Sequence, residues 1–232
     1  ELKQKALKVR KAAMKICHTS NDQRRDALNK MADSLVYYSE EILEANDHDF
    51  NIAKKKGISQ SLLSRLKLSK EKLLEGINGM RKVRDLTDPI GQVQINKKLS
   101  QGLILQRRTV PIGVIGVIFE SRPDAFIQIS ALALRSGNAA ILKGGSEANE
   151  TNKVIFNALQ FGLNQSSLDK NSLCLLTSRK DSMSMLHLEN DISLIIPRGS
   201  NELVKFIQSN TRIPVLGHAD GICHLYIDNE SD

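Results

Sequence analysis

Residue types that mark several large protein classes are scarce in this chain of 232 residues. Its three cysteines are too few and too far apart for a disulfide framework, and no Cys-x-x-Cys pair offers half of a common zinc site. This cysteine usage favours a reducing, cytosol-like compartment. Tryptophan is absent and aromatic residues make up 4% of the chain, which argues against a module that binds nucleic acid by base stacking.

Long apolar runs are missing as well. No stretch approaches the ~18–20 apolar residues that would cross a bilayer, and the charged N-terminal segment does not resemble a secretory signal. We therefore expect no membrane association and a cytoplasmic protein. Because the first residue is not methionine, we expect a processed or partial chain.

Charge is abundant and unevenly distributed. The net charge is +7, with a balance of +10 over residues 1–110 and −3 over residues 111–232. Lysine and arginine on the solvated faces of helices explain this pattern most simply. A basic module that binds nucleic acid or a protein partner is the alternative, and the asymmetry would also attract an anionic substrate or cofactor.

The first third of the chain has the pattern of amphipathic helices. Apolar residues recur at helical spacing from Leu2 to Ile16, and Ser20 and Ser69 are suitable N-cap residues for later helices. We predict that residues 1–88 form helices that pack on the domain that follows.

Residues 89–110 contain two short β-like runs separated by polar residues, which predicts a β-ribbon. Such a ribbon is suited to act as an arm that reaches a neighbouring subunit, so we expect a homo-oligomer.

From residue 111 to residue 232 the pattern alternates between strands and helices. The first of these strands is a continuous apolar run, which is typical of a parallel sheet buried on both faces. The predicted fold class is therefore α/β, with a doubly wound, Rossmann-like parallel sheet. The predicted strands cover residues 112–119, 139–142, 173–176, 194–196, 214–216 and 224–227.

Three loops leave the carboxyl ends of these strands, at residues 120–124, 143–146 and 197–200. They are rich in Gly, Ser, Arg or Lys and precede helices, whose free N–H groups suit phosphates. The glycine fingerprints of ordinary Rossmann sites and P-loops are absent, as are the motifs of zinc proteases and serine hydrolases. On the residues alone, a phosphate-bearing ligand and ordinary connecting loops are nearly equal interpretations.

Four longer strings distinguish between these interpretations. They are Val-Pro-Ile-Gly-Val-Ile-Gly-Val-Ile-Phe-Glu-Ser-Arg-Pro-Asp at 110–124, Ser-Gly-Asn-Ala-Ala-Ile-Leu-Lys-Gly-Gly-Ser-Glu-Ala at 136–148, Leu-Ile-Ile-Pro-Arg-Gly-Ser at 194–200 and Pro-Val-Leu-Gly-His-Ala-Asp-Gly-Ile-Cys-His-Leu-Tyr-Ile-Asp at 214–228. Together they strongly resemble the γ-glutamyl phosphate reductase family, also called glutamate-5-semialdehyde dehydrogenase, which occurs alone or as the reductase half of Δ1-pyrroline-5-carboxylate synthase. The family belongs to the aldehyde dehydrogenase superfamily, and the resemblance covers essentially the whole chain in the family's order and spacing.

The resemblance implies NADPH-dependent reduction of L-glutamyl 5-phosphate to L-glutamate 5-semialdehyde with release of phosphate, the second step of proline biosynthesis. In this family a cysteine thiolate attacks the acyl phosphate, and hydride then reduces the thioester. The family's nucleophile belongs to a motif that would follow Asp232. We therefore expect the cofactor-binding portion without its catalytic domain, inactive by itself, and we interpret Cys17 and Cys174 as packing residues and Cys223 as not the nucleophile.

The resemblance also implies cofactor-binding residues. Lys143 matches the superfamily lysine that hydrogen-bonds the adenosine ribose. Ser146 stands where many NAD-preferring relatives carry an acid that would repel a ribose 2′-phosphate, so its neutrality favours NADPH. The segment Pro197, Arg198, Gly199 and Ser200 begins a helix near the pyrophosphate, although Arg198 is alternatively a structural ion-pair partner.

Further residues are implied at the substrate. Ser121 is a candidate oxyanion donor, with a helix N-cap as an equal alternative, and Arg122 is a candidate partner for the phosphate or carboxylate, beside Glu120. His218 is expected to line the substrate site, as is His224, and we predict no metal site.

Alternatives and partners complete these expectations. The alternative within enzymes is another aldehyde or acyl-phosphate reductase of the superfamily, and the alternative outside enzymes is the basic module. The implied partners are L-glutamyl 5-phosphate and a glutamate 5-kinase, fused or separate; we expect neither nucleic acid nor membrane.

Overall fold

Helices fill the first 85 residues of the computed structural model, which describes residues 2–217 and 224–228. Ser20 begins the second helix with a capping box, since its Oγ accepts a hydrogen bond from Gln23 N and the Gln23 side chain accepts one from Ser20 N. Ser69 caps the fifth through Lys72 N. Both predicted N-caps are thus confirmed. The five helices are α1 (Leu2–Ile16), α2 (Asn21–Tyr37), α3 (Ser39–Lys55), α4 (Gln60–Leu66) and α5 (Lys70–Asp85).

A β-ribbon follows, as predicted. Strands β1 (Val93–Ser100) and β2 (Leu103–Arg108) pair antiparallel around a turn in which Gly102 has φ 78°, and every residue of both strands is exposed. The base of the ribbon is held by Asp88, whose two carboxylate oxygens accept hydrogen bonds from the buried Arg24 guanidinium at 2.8 Å. The ribbon is therefore anchored at one end and free of the core along its length.

The rest of the chain builds a parallel sheet with strand order β5-β4-β3-β6. Side chains alternate along β3: Ile115, Val117 and Phe119 join the core under α2, α5, α6 and α7, whereas Val114 joins the core under α1, α8 and α9. The predicted doubly wound sheet is confirmed. Its elements are β3 (Val114–Phe119), α6 (Pro123–Arg135), β4 (Ala139–Lys143), α7 (Asn149–Asn164), β5 (Leu173–Leu176), α8 (Arg179–Met185), β6 (Leu194–Arg198) and α9 (Asn201–Ser209).

Two predicted strands are wrong. Within residues 214–216 only Val215 makes an isolated parallel bridge, to Ile195. Residues 224–228 contain no strand. The side chains of Leu225 and Tyr226 are 86% and 85% exposed, and no strand among the described residues lies beside them. β-propensity without a hydrogen-bonded neighbour does not make a strand.

Helix α8 begins at Arg179, because Ser178 Oγ accepts a hydrogen bond from Asp181 N and caps it. Within the described part of the chain, no helix combines the length and the apolar character that crossing a membrane requires.

Candidate functional site

The chain adds strands first on one side of β3 and then on the other side. The chain moves from β3 outward to β4 and β5, and then returns to place β6 on the other side of β3. The two strand ends meet directly, because Glu120 N donates to Arg198 O at 3.2 Å. Ligands of open parallel sheets bind at such a switch point, beyond the carboxyl ends of the strands.

Lys143 ends β4 at this edge and is 8% exposed. Its Nζ donates to the carbonyl oxygen of Gly144. Burial lowers the pKa of Lys143, and the nearby Glu147 carboxylate raises it and so offsets part of that effect. A buried cation with spare donors is suited to hydrogen-bond a polar ligand, so the alternative of a solvated lysine is wrong.

Glu147 is the functional candidate that the sequence reasoning missed. Its Oε1 accepts hydrogen bonds from Ser121 N at 2.7 Å and from Ser121 Oγ at 2.6 Å, so it ties the loop after β4 to the loop after β3. The available signal was an acid four residues beyond Lys143 in a loop that leaves a buried strand. The prediction from sequence named Ser146 in this loop and did not name Glu147.

Ser121 is 3% exposed and has φ 44°, which is rare for a residue other than glycine. It is not a helix N-cap: α6 begins at Pro123, and Arg122 occupies the N-cap position without a side-chain hydrogen bond. Because the Ser121 hydroxyl donates to Glu147, its role as an oxyanion donor stays a prediction and would require that hydrogen bond to rearrange.

The loop after β4 leaves no room for larger residues. A Cβ added to Gly144 would lie 2.2 Å from Asn152 Nδ2, and one added to Gly145 would lie 2.0 Å from Glu147 Oε1. Asn152 Oδ1 is buried and has no hydrogen-bond partner in the part of the chain that the structure describes. The two glycines thus let the side chains of Asn152 and Glu147 approach the backbone of the loop closely, and the buried Asn152 Oδ1 remains available to a ligand donor.

Ser146 is exposed in a 3-10 turn, Ser146–Ala148, beside the buried loop. It faces a cavity of about 340 Å³ that His48, Asp49 and Lys56 also line. Ser146 is itself uncharged, and Oε1 of the adjacent Glu147 accepts hydrogen bonds from Ser121.

A second cavity, of about 410 Å³, lies at the switch point. Glu120, Arg122 and Arg198 line it, together with Arg65 from α4, which sequence reasoning did not select. All four side chains belong to exposed residues. No ion pair joins any of them to another residue in the ranges 2–217 and 224–228, so the alternative of a structural ion pair for Arg198 is wrong within those ranges.

The segment after β6 is arranged as a helix start. Pro197 is buried at the end of β6, and Ser200 is the N-cap of α9 because its Oγ accepts from Leu203 N at 3.3 Å. A Cβ on Gly199 would lie 2.6 Å from Glu120 Oε2. Glycine thus permits the close approach of the two strand-end loops.

The two cysteines that the structure describes, Cys17 and Cys174, are not arranged as activated nucleophiles. Burial raises the pKa of the Cys174 thiol, the opposite of what a nucleophile needs, and Cys17 Sγ donates to the carbonyl oxygen of Met14. His224 is exposed, whereas His218 and Cys223 lie outside the described residues. Among the residues that are described, no three His, Cys, Asp or Glu side chains gather as a metal site would require.

Comparison with known proteins bears directly on this arrangement. A γ-glutamyl phosphate reductase of Prochlorococcus marinus strain MIT 9312 is 68% identical over 232 residues, which is 100% of this chain and 53% of the relative. The chain is homologous to γ-glutamyl phosphate reductases along its entire length. It spans about half the length of the curated relatives it matches. No family model matches.

Solved structures agree with this homology. The γ-glutamyl phosphate reductase of Thermotoga maritima has a TM-score of 0.93 and 36% identity, with 100% of this chain and 56% of that chain covered. The enzyme of Saccharomyces cerevisiae has a TM-score of 0.89 and 41% identity, with 96% and 57% covered. A probable aldehyde dehydrogenase from Listeria monocytogenes, at 15% identity and a TM-score of 0.72 over 94% of this chain and 45% of that one, shares the fold. The aldehyde-dehydrogenase-type fold predicted from the sequence is confirmed.

Proposed function

We propose that this chain supplies the cofactor-binding half of a γ-glutamyl phosphate reductase. The complete protein reduces L-glutamyl 5-phosphate to L-glutamate 5-semialdehyde, with release of phosphate, in proline biosynthesis. The observation that carries the proposal is the 68% identity to such reductases over all 232 residues, which includes the loops at the switch point.

The residues at the end of β4 fit the adenosine side of a dinucleotide. A buried lysine, two glycines without room for a Cβ and the unpartnered Asn152 Oδ1 converge there. Lys143 would donate a hydrogen bond to the ribose. Pro197, Arg198, Gly199 and Ser200 would face the pyrophosphate at the start of α9.

NADPH is the proposed cofactor, and it supplies hydride when bound. The exposed Ser146 carries no charge that would repel a ribose 2′-phosphate. Its neutrality favours the phosphorylated cofactor.

The remaining roles follow the family. Glu120, Arg122 and His218 are proposed to bind the substrate, and the nucleophilic cysteine is proposed to lie outside this chain. The exposed ribbon, anchored at Asp88, suits assembly of a homo-oligomer. A glutamate 5-kinase, fused or separate, would supply the labile acyl phosphate, and a cytoplasmic location suits a pathway enzyme with free thiols.

The function can be tested in the reverse direction by the phosphate-dependent oxidation of glutamate 5-semialdehyde with NADP⁺. The assay uses the complete protein, which includes any sequence that flanks these residues in the gene. The proposal expects turnover that requires phosphate. Absence of phosphate-dependent turnover in a folded protein that binds NADP⁺ contradicts it.

Ser146→Glu tests the cofactor assignment. It should weaken NADPH binding roughly 10-fold more than NADH binding, because the added carboxylate repels the 2′-phosphate. Nicotinamide fluorescence titration measures both constants, and Ser209→Glu, exposed at the end of α9, is the matched control. Equal losses of affinity for the two cofactors would contradict the assignment of NADPH.

A further inference from the structure

The cavity at the switch point carries charged side chains beyond Arg198, the one that the proposed function assigns to the pyrophosphate of the cofactor. Three guanidinium groups and one carboxylate line its about 410 Å³ volume: Arg65, Arg122, Arg198 and Glu120. None of them has an ion-pair partner among the described residues. Charges that a fold gathers and leaves unpaired in a concave site are suited to bind a ligand of complementary charge.

The floor of this cavity follows α6. Arg122 lies at the start of the helix, and Ile129 and Leu132 lie further along the same wall. Ten residues of helix separate Arg122 from Leu132, which corresponds to roughly 15 Å. The cavity is therefore an elongated groove that begins at the strand ends and leads away from them.

The cavity is also separate from the Lys143 loop. Neither Lys143 nor Ser146 lines it, and Ser146 belongs to a different cavity. A dinucleotide whose adenosine side rests on the Lys143 loop and whose pyrophosphate faces Arg198 and Gly199 reaches only the strand end of this groove. It leaves the part along α6 for a second molecule.

The charges match the substrate of the proposed function. L-Glutamyl 5-phosphate carries a carboxylate, an ammonium group and an acyl phosphate of roughly −2 charge, so it offers about three negative charges and one positive. Apart from Arg198, which is proposed to face the pyrophosphate, the groove offers two cations for the two anionic groups of the substrate and one carboxylate for its ammonium group. Its apolar wall accommodates the methylene groups between the two ends of the substrate.

We infer that Arg65 binds the α-carboxylate of the substrate. The inference rests on the proposed function. The reacting acyl group must lie at the strand ends, beside Glu120, Arg122 and Arg198, where the switch point places the chemistry. The amino-acid end of the substrate then extends along α6, and Arg65, which comes from α4 rather than from the sheet, is the remaining cation of the groove.

Arg65→Met tests this assignment in the complete protein by phosphate-dependent oxidation of glutamate 5-semialdehyde. It should lower kcat/KM for the semialdehyde roughly 10- to 100-fold, through KM, because a charge-assisted hydrogen bond is lost. The KM for phosphate and the affinity for NADPH should stay unchanged. Arg65→Lys should recover part of the loss, and Arg81→Met, outside the groove, should behave as wild type.

An analogue gives a second readout. The wild-type protein should oxidise 4-aminobutanal, which lacks the α-carboxylate, with a reduced kcat/KM, and Arg65→Met should not reduce that value further. A normal semialdehyde KM in Arg65→Met contradicts the inference, and so does a selective loss of NADPH or phosphate binding. Failure of wild type to turn over the semialdehyde would instead overturn the proposed function.

Discussion

The two sides of the switch point differ in how their polar groups are satisfied. On the β4 side, Lys143 is buried and Glu147 accepts hydrogen bonds from both the N–H and the hydroxyl of Ser121. The glycines of the loop after β4 leave room for the side chains that pack against it. On the β6 side, Arg122 and Arg198 are exposed and have no ion-pair partner among the described residues. We call these the closed side and the open side.

The difference follows from the cost of burial. A buried donor or acceptor without a partner costs about 1–3 kcal/mol, so Ser121 and Glu147 pair with each other on the closed side, where Asn152 Oδ1 stays without a partner among the described residues. Exposed charges are solvated and need no partner within the fold. The closed side thus holds a preformed surface, and the open side holds charges whose partners arrive with a ligand.

The largest expected effect on stability concerns two glycines, one in closely packed surroundings and one with open space beside it. A Cβ on Gly162 in α7 would lie 2.5 Å from Lys30 O and 2.6 Å from Met31 Cα in the backbone of α2, whereas a Cβ on Gly79 in α5 would meet nothing within 4 Å. Gly162→Ala should destabilise the fold by about 3 kcal/mol through overpacking. Thermal unfolding measures this as a lower Tm.

Gly79→Ala is the matched control for that substitution. It should stabilise the fold by about 0.5–1 kcal/mol, because alanine is the better helix former. A Tm for Gly162→Ala that equals or exceeds that of Gly79→Ala would mean that α2 and α7 do not pack as closely as the structure has them.

A smaller effect concerns the charge on the closed side. Glu147→Gln keeps an acceptor for Ser121 and loses the negative charge, so it should cost about 1 kcal/mol. Glu150→Gln is the control, because the exposed pair of Glu150 with Lys153 should contribute little.

The cost of Glu147→Gln should depend on pH. Burial lowers the pKa of Lys143 in the folded state, so folding disfavours its protonated form. That destabilisation is present below the folded pKa and fades as pH rises toward the unfolded value of about 10.4. The Glu147 carboxylate offsets this destabilisation only while Lys143 is charged. Chemical unfolding should therefore give a larger deficit for Glu147→Gln at pH 7 than at pH 10, and a deficit independent of pH would exclude coupling of the two groups.

Local signals in the sequence predicted most of the fold. Apolar runs identified β3 and β4, and Ser20 and Ser69 marked helix starts, because these features depend on neighbouring residues alone. Residues 224–227 show the limit: an apolar β-like run becomes a strand only when another strand pairs with it.

The candidate site was predictable in part. Resemblance located Lys143 and Arg198 in strand-end loops, where the structure has them. Glu147 and Arg65 were missed, because their relevance depends on contacts that cross the chain. Glu147 meets Ser121 from 26 residues away, and Arg65 reaches the groove from the helical region. No local pattern contains either contact.

Titration of NADPH fluorescence against Lys143→Met in the complete protein tests most directly that the closed side binds the cofactor. Losing a charge-assisted hydrogen bond should raise the Kd roughly 10- to 100-fold, while Arg65→Met and Lys153→Met leave it unchanged. An unchanged Kd for Lys143→Met, or an equal rise for Arg65→Met, would contradict the assignment of the adenosine side of the cofactor to the closed side and of the substrate's α-carboxylate to the open side.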